Sequence, residues 1–367
     1  MPTTAPSSKS PTGIPSSETN DQNFFPHLPP YSDPTSGFLS HIPRSWIPYA
    51  QLMRLEKPAG LYGVYFPHLI SLLYASCLPS HSAPPSPLSL LKLAAALLPF
   101  NILLRGASCT WNDTADQAFD RRVARTRHRP VARGAVSTTR ANVFTAAQLA
   151  LLFAYHQHSG LLPAAETATF AVFVTALFLA YALMKRVTDY PQVVLGVGIG
   201  AAVFFATAAL GVDLDSRVGG LGLGLGLGGG EVSVRAPTLA LFGAIMAWTI
   251  TYDTIYAHQD VVDDLRAGVK SMALRFREST KALAGVLSAV QVLLLALCGY
   301  WAGLGPVYFV GTVGGVAVAM AYYLYDVDLK NPESCGMWFH RQFWIVGAAF
   351  MAGFAGEYAL RLAGSES

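Results

Sequence analysis

Seven of the 22 acidic residues fall in two short segments. The first is Asn112-Asp113-Thr114-Ala115-Asp116-Gln117-Ala118-Phe119-Asp120, and the second runs from Asp253 through Asp260, Asp263 and Asp264. Asp113, Asp116 and Asp120 stand at i, i+3, i+7, and Asp253, Asp260 and Asp264 at i, i+7, i+11. Each set is therefore expected along one face of a helix. Like charges stacked in this way repel unless a cation lies between them. Carboxylate oxygens suit a hard divalent ion, and Mg²⁺ typically takes one or two carboxylates together with substrate phosphate oxygens. Arg54 and Lys57, Arg125 and Arg129, and Lys185 and Arg186 sit near these acids or at equivalent helix ends. A carboxylate-held Mg²⁺ beside Arg and Lys suits the departure of diphosphate, because negative charge builds on that group as its bond to carbon breaks. Arg121, Arg122, Arg127, Arg140 and most of the basic residues at 266–281 read instead as charges that orient a membrane protein.

The elements that carry these residues follow from composition. The chain has 367 residues, 52% hydrophobic and only 13% charged, against about 25% charged in a soluble domain. Apolar segments occur at Gly60–Leu78, Leu88–Leu104, Ala141–Gln157, Leu161–Met184, Val193–Gly211, Leu239–Ile255, Ala282–Ala302, Val307–Tyr325 and Phe343–Leu360. Lys92, Glu166 and Glu357 interrupt three of them. None alternates with the period of two that barrel strands need. The expected fold is all-α, a multi-pass membrane helical bundle of about nine transmembrane helices.

Arg and Lys concentrate in the connections after the even-numbered segments, which places those loops and the amino terminus in the cytosol and the carboxyl terminus on the far side. Residues 1–45, rich in Pro, Ser and Thr, read as a disordered tail. Lys9 is the only basic residue there before Arg44, and Glu18, Asp21 and Asp33 are present, so neither a secretory signal nor a mitochondrial presequence is expected. Residues 46–362 read as the membrane domain and 363–367 as a short tail. The 212–237 connection is a low-complexity Gly-rich loop, lacking the strand, helix and Lys-Ser/Thr of a phosphate cradle. Cys77, Cys109, Cys298 and Cys335 show no pairing pattern and are expected to pack as small apolar groups. His68, His156, His158, His258 and His340 form no ligand set; a role for His258 as an assisting base is weighed below a spectator role.

The motifs carry a family resemblance. Asn112-Asp113-x-x-Asp116-x-x-x-Asp120 with Arg125-Thr126-x-x-Arg129-Pro130 resembles the first signature of the UbiA intramembrane aromatic prenyltransferases. Asp253-x-x-Tyr256-Ala257-x-Gln259-Asp260-x-x-Asp263-Asp264, followed by Gly268-Val269-Lys270-Ser271, resembles the second. Arg54-x-x-Lys57-Pro58-x-Gly60 and Lys185-Arg186-x-Thr188-x-x-Pro191-Gln192 look like two further family blocks. The stretch from Lys57 to Gly63, with Phe66-Pro67-His68, looks most like fungal members that prenylate polyketide-derived aromatics for meroterpenoids. The resemblance implies a nine-helix bundle with a central cavity open toward the cytosol and toward lipid.

It also implies roles. Asn112, Asp116 and Asp120, with Asp113 adjacent, would hold one Mg²⁺–diphosphate contact; Asp260 and Asp264, with Asp253 on the same expected face, would hold another. Lys185 and Arg186, with Arg54, Lys57, Arg125 and Arg129, would carry the diphosphate or an acidic acceptor. In the mechanism that follows from these roles, Tyr252 and Tyr256 would either flank an allylic cation through their π faces or serve ordinary packing and hydrogen bonding. The implied partners are a prenyl diphosphate (farnesyl in the preferred reading), an aromatic acceptor and the bilayer, with no nucleic acid. The expected location is an endomembrane with the motif loops in the cytosol. The competing readings are a 4-hydroxybenzoate polyprenyltransferase of ubiquinone synthesis, a transporter and a catalytically silent lipid-binding scaffold. A transporter would place its acids near the midplane on broken helices, and a silent scaffold would lack some of the motif acids; all are present.

Overall fold

The computed structural model describes residues 24–78, 84–219 and 231–366. Residues 1–23 of the expected tail, 220–230 of the Gly-rich connection and the last residue of the expected C-terminal tail lie outside the described residues, as do 79–83.

Each apolar segment folds as helix: α1 Ala59–Ser76, α2 Pro87–Ala115, α3 Thr138–His158, α4 Ala164–Val187, α5 Pro191–Ala209, α6 Arg235–Ala257, α7 Thr280–Trp301, α8 Pro306–Asp326 and α9 Pro332–Glu366. Their starts are written in the sequence. Pro87, Pro191 and Pro306 stand at first helical positions, where the missing N–H costs nothing. Ser86 and Ser137 accept hydrogen bonds from Ser89 N (3.2 Å) and Arg140 N (3.3 Å) as N-caps of α2 and α3. Among the described residues, α2 and α4–α9 lie within seven stretches long and apolar enough to cross a membrane. The helices α1 and α3 complete the nine segments without reaching that measure; α3 carries Arg140, Asn142, Gln148 and His156. A two-stranded antiparallel ribbon, Arg217–Gly219 with Glu231–Ser233, flanks the Gly-rich insertion, where the sequence reading has only loop.

The helices pack in a closed circuit. Sequential neighbours touch, α2 also touches α4, and α9 returns onto α1. The centre is aromatic: Trp248, Phe343 and Phe350 are fully buried, with Trp248 and Phe350 rings 5.1 Å apart. Where α8 crosses α9, small residues let the backbones meet, as in other membrane helix pairs. A Cβ on Gly353 would lie 2.5 Å from Thr312 N, and Thr312 Oγ1 donates to Phe350 O at 2.8 Å. Glu357 is used in the same way: it accepts from Gly305 N at 3.0 Å and pairs with Arg361 at 3.6 Å.

Residues 24–45 are not a free tail. Leu39 is buried against Ile47 and Ala50, Arg127 donates to Pro29 O at 2.6 Å, and the Tyr31 ring lies under Arg133 at 3.8 Å. Composition missed this because the anchors are single residues spaced without a period. For the same reason Arg127, read as an orienting charge, is a buried tether. At the other end, α9 continues through Glu366, beyond the boundary expected at 362.

Candidate active site

The two acidic motifs begin on long helices and end in short ones. The second-motif segment leaves α6 through a 3-10 turn at His258–Asp260 and continues as Val261–Ala267. The first leaves α2 at Asp116, whose φ of −91° and ψ of 6° break the helix before a short turn at Gln117–Asp120. That break overturns the expectation of one continuous acidic face. Asp113, Asp116 and Asp120 instead address different cations. Asp113 is fully buried, bonded to Arg54 and 3.4 Å from Arg129. Asp116 meets Lys185 Nζ at 3.1 Å and Arg186 Nη1 at 3.2 Å. Asp120 accepts from Arg129 at 3.0 Å. Across the site, Arg125 sets its guanidinium fork on Asp260, with Nε 2.8 Å from Oδ1 and a shorter second contact through Nη2.

These groups surround one cavity of about 320 Å³. Asn112, Asp116, Asp120, Asp253, Asp260 and Asp264 line it together with Arg54, Lys57, Arg125, Arg129 and Lys185. Tyr252 and Tyr256 are on its wall as well. Two expected site residues are not on that wall. Asp113 faces Arg54 instead, and Arg186 reaches the site through Asp116, the Ala115 carbonyl and the ring of Phe119, 4.9 Å from its guanidinium carbon. Asp253, two helical turns deeper than Asp260, accepts from the Tyr181 hydroxyl at 3.3 Å. Tyr256 is already engaged: its hydroxyl accepts from Arg125 at 3.2 Å and its ring lies 4.1 Å from Phe339. Tyr252 packs its edge against Phe343 and Trp248, and Gly63 leaves room for it; a Cβ there would fall 3.2 Å from Phe343 and 3.6 Å from Tyr252 Oη.

Burial pushes the Asp120 carboxyl up to about 6, with Arg129 opposing the shift and Asp113 adding to it. Desolvation lowers both guanidiniums, but Asp120 and Asp113 hold Arg129 well above the ordinary range, and Tyr256 with Asp260 does the same for Arg125. Asn112 Oδ1 is buried with no hydrogen-bond partner. Among the described residues, no three of His, Cys, Asp and Glu converge as a ready-made metal cage; the basic side chains intervene.

Several residues without an assigned role complete the site. Arg105 crosses Gly60, where a Cβ would sit 2.7 Å from its guanidinium, and donates to Arg54 O (3.0 Å) and Lys57 O (2.7 Å). It thereby fixes the loop that presents Arg54 and Lys57. An arginine flanking the second apolar segment is the signal that marks it. Tyr181 stands one turn before Lys185, on the same face of α4. Asp263 caps the arginine loop by accepting from Ala124 N at 2.9 Å, and Lys270 N donates to Lys185 O at 3.1 Å, joining the two motif loops to α4. His258 turns to Thr280 Oγ1 at 2.9 Å and is not on the cavity wall.

Residues 65–351 match the UbiA prenyltransferase family. The chain belongs to that family. It is 39% identical over 292 residues to the prenyltransferase ascA of Acremonium egyptiacum, covering 79% of this chain and 80% of that protein. It is 40% identical over 300 residues to the prenyltransferase stbC of Stachybotrys bisbyi, with 80% and 83% covered. A mitochondrial 4-hydroxybenzoate polyprenyltransferase of Saccharomyces cerevisiae is 36% identical over 336 residues, with 89% and 80% covered. The UbiA bundle is shared with a UbiA homolog from Archaeoglobus fulgidus bound to GPP and Mg²⁺, at TM-score 0.61 and 16% identity over 85% of this chain and 99% of that one. This UbiA protein is therefore an integral membrane prenyltransferase.

Proposed function

We propose that this enzyme transfers a farnesyl group from its diphosphate to a ring carbon of a polyketide-derived aromatic acceptor. The observation that carries the reading is one cavity with two chemistries: carboxylates and cations at the motif end, and Val64, Phe178, Leu195 and Ile199 on its apolar side. The somewhat greater identity to the fungal prenyltransferases ascA and stbC, 39% and 40%, than to the yeast 4-hydroxybenzoate polyprenyltransferase, 36%, favours an acceptor other than 4-hydroxybenzoate. We place the catalytic domain from residue 46 through the end of α9 at Glu366, in an endomembrane, with the motif loops toward the cytosol on the ground of the basic connections.

The donor set fits Mg²⁺. Each side of the cavity offers hard oxygens: Asp116, Asp120 and the unpartnered amide oxygen of Asn112 on one, Asp260 and Asp264 on the other. One or two carboxylates per ion are what Mg²⁺ uses when phosphate oxygens supply the rest. Bound there, Mg²⁺ would draw charge from the allylic C–O bond. The protein's own groups do the remainder. Lys185, Arg125, Arg129 and Lys57 take up the negative charge as the C–O electron pair departs with the diphosphate. Tyr252, which lines the cavity, stabilises the allylic cation. The apolar wall keeps water from trapping that cation as an alcohol. The ring carbon then bonds to the cation, and its proton passes to a carboxylate, Asp253 being the deepest on the wall.

The test is a membrane assay with Mg²⁺ that crosses prenyl diphosphates of several lengths with 4-hydroxybenzoate and orsellinate-type phenolic acids. Product is expected from the C15 donor and the orsellinate type. Activity confined to long donors and 4-hydroxybenzoate would replace this reading with the ubiquinone-pathway one. A pH effect follows from Asp120. Its carboxyl is ionised above about 6 and neutral below, so it loses its hold on a cation as pH falls. The Mg²⁺ concentration for half-maximal rate is expected to rise between pH 7 and 5, and Asp120→Asn should remove that dependence while raising the requirement throughout. A flat Mg²⁺ titration across this range would show that Asp120 does not hold the ion.

A further inference from the structure

A second cavity, of about 530 Å³, lies behind the cationic wall. Arg54, Lys57, Arg125 and Arg129 line both cavities. The first, third and fourth of these are bonded to Asp113, Asp260 and Asp120. Lys57 has no ion-pair partner among the described residues, and it is exposed. The chamber carries one acid of its own, Glu56, and the ring of His128.

Its outer wall is the segment from Tyr31 to Leu39, which precedes the stretch matched to the family. That segment is fixed rather than loose. Tyr31 lies under Arg133 and 5.8 Å from the His128 ring, and its hydroxyl accepts from Gln51 at 3.2 Å. Leu39 is buried, and Asp33 pairs with Arg44 at 3.8 Å. The rim at Ser36, Gly37 and Phe38 is exposed.

Prenyl transfer makes two products of opposite solubility. The prenylated aromatic partitions into lipid. Inorganic diphosphate, multiply charged, cannot follow it without a large desolvation cost. The cations that hold diphosphate in the reaction cavity are the same side chains that face the second chamber. We infer that this chamber is a binding site for released inorganic diphosphate, which passes from the shared cations past Lys57 to the rim at Ser36. The inference rests on the diphosphate-cleaving reading of the reaction cavity.

Charge placed at the rim tests it without touching the reaction machinery. Full-length protein in nanodiscs carries Ser36→Glu or Ser36→Lys, and two quantities are measured at fixed Mg²⁺. One is product inhibition by added inorganic diphosphate; the other is the single-turnover rate and KM with prenyl diphosphate. Ser36→Glu should weaken the inhibition by about threefold to tenfold, and Ser36→Lys should strengthen it by a similar factor, as expected for one charge near a multiply charged anion. The single-turnover rate and donor KM should not change. Normal turnover with unaltered inhibition in both variants would overturn the chamber's role alone. Equal shifts in inhibition and donor KM would also overturn it, by making the chamber a route for the donor. No prenyl transfer by the unsubstituted protein would instead remove the reaction reading, and the chamber with it.

Discussion

Replacing Asp116 by Ala is expected to reduce prenyl transfer about 1000-fold or more, equivalent to about 4 kcal/mol of transition-state stabilisation. Two losses combine. A cavity-lining carboxylate of the first motif disappears, which leaves only Asp120 and the Asn112 amide oxygen as hard donors on that side. Lys185 and Arg186 lose their shared partner at 3.1 and 3.2 Å, so the cations meant for the diphosphate are no longer aimed. The backbone hinge survives, because Asp116 N still donates to Asn112 O and its carbonyl still accepts from Phe119 and Asp120. Folding and membrane insertion should therefore persist, as judged by a monodisperse detergent-solubilised protein. Asp116→Asn separates charge from shape: it keeps the volume and a hydrogen-bonding oxygen but not the anion, and it should be nearly as inactive. Wild-type-like turnover in the asparagine variant would remove Asp116 from the reaction.

Arg54→Ala is expected to act mainly on stability, by about 3–5 kcal/mol, because it strands a buried charge. Asp113 is fully buried, and without Arg54 only Arg129 at 3.4 Å remains near it. Arg54 also donates to Gln51 O at 2.7 Å and holds a positive φ of 57°, a conformation that costs about 1–2 kcal/mol outside glycine. The ion pair and the Arg105 tether to Arg54 O offset that strain. A combined Arg54→Met, Asp113→Leu variant should regain much of the lost stability, since it removes both charges from the buried site. Its activity should stay low, because Arg54 also lines the cavity. Thermal unfolding in detergent measures both effects. If Arg54→Ala unfolded at the wild-type temperature, the buried pair would not be a structural requirement.

The sequence marks the helices because each apolar segment is bounded by its own prolines, serines and charges, all local signals. It also marks the candidate site, since seven of 22 acids gathered in two segments stand out in a chain so poor in charge. Arg105 and Tyr31 are harder to read: one holds a loop about fifty residues away, and the other packs on Arg133, about a hundred residues away. Neither partner lies within one helical period.

By itself, the sequence determined the class of the protein, an all-helical membrane bundle, and it singled out the acidic and basic residues proposed to carry the chemistry. Hydropathy and charge spacing are properties of contiguous segments, which is why they are legible. Only the tertiary structure decided which cation meets which anion. Helical spacing puts Asp113 and Asp116 on one face, but the backbone turns at Asp116, sending one carboxylate to Arg54 and the other to Lys185 and Arg186. It also decided that Asp113 supports the site from behind its wall. A buried charge takes the nearest partner able to replace its water, and that partner is set by how α1, α2 and α4 end together in space.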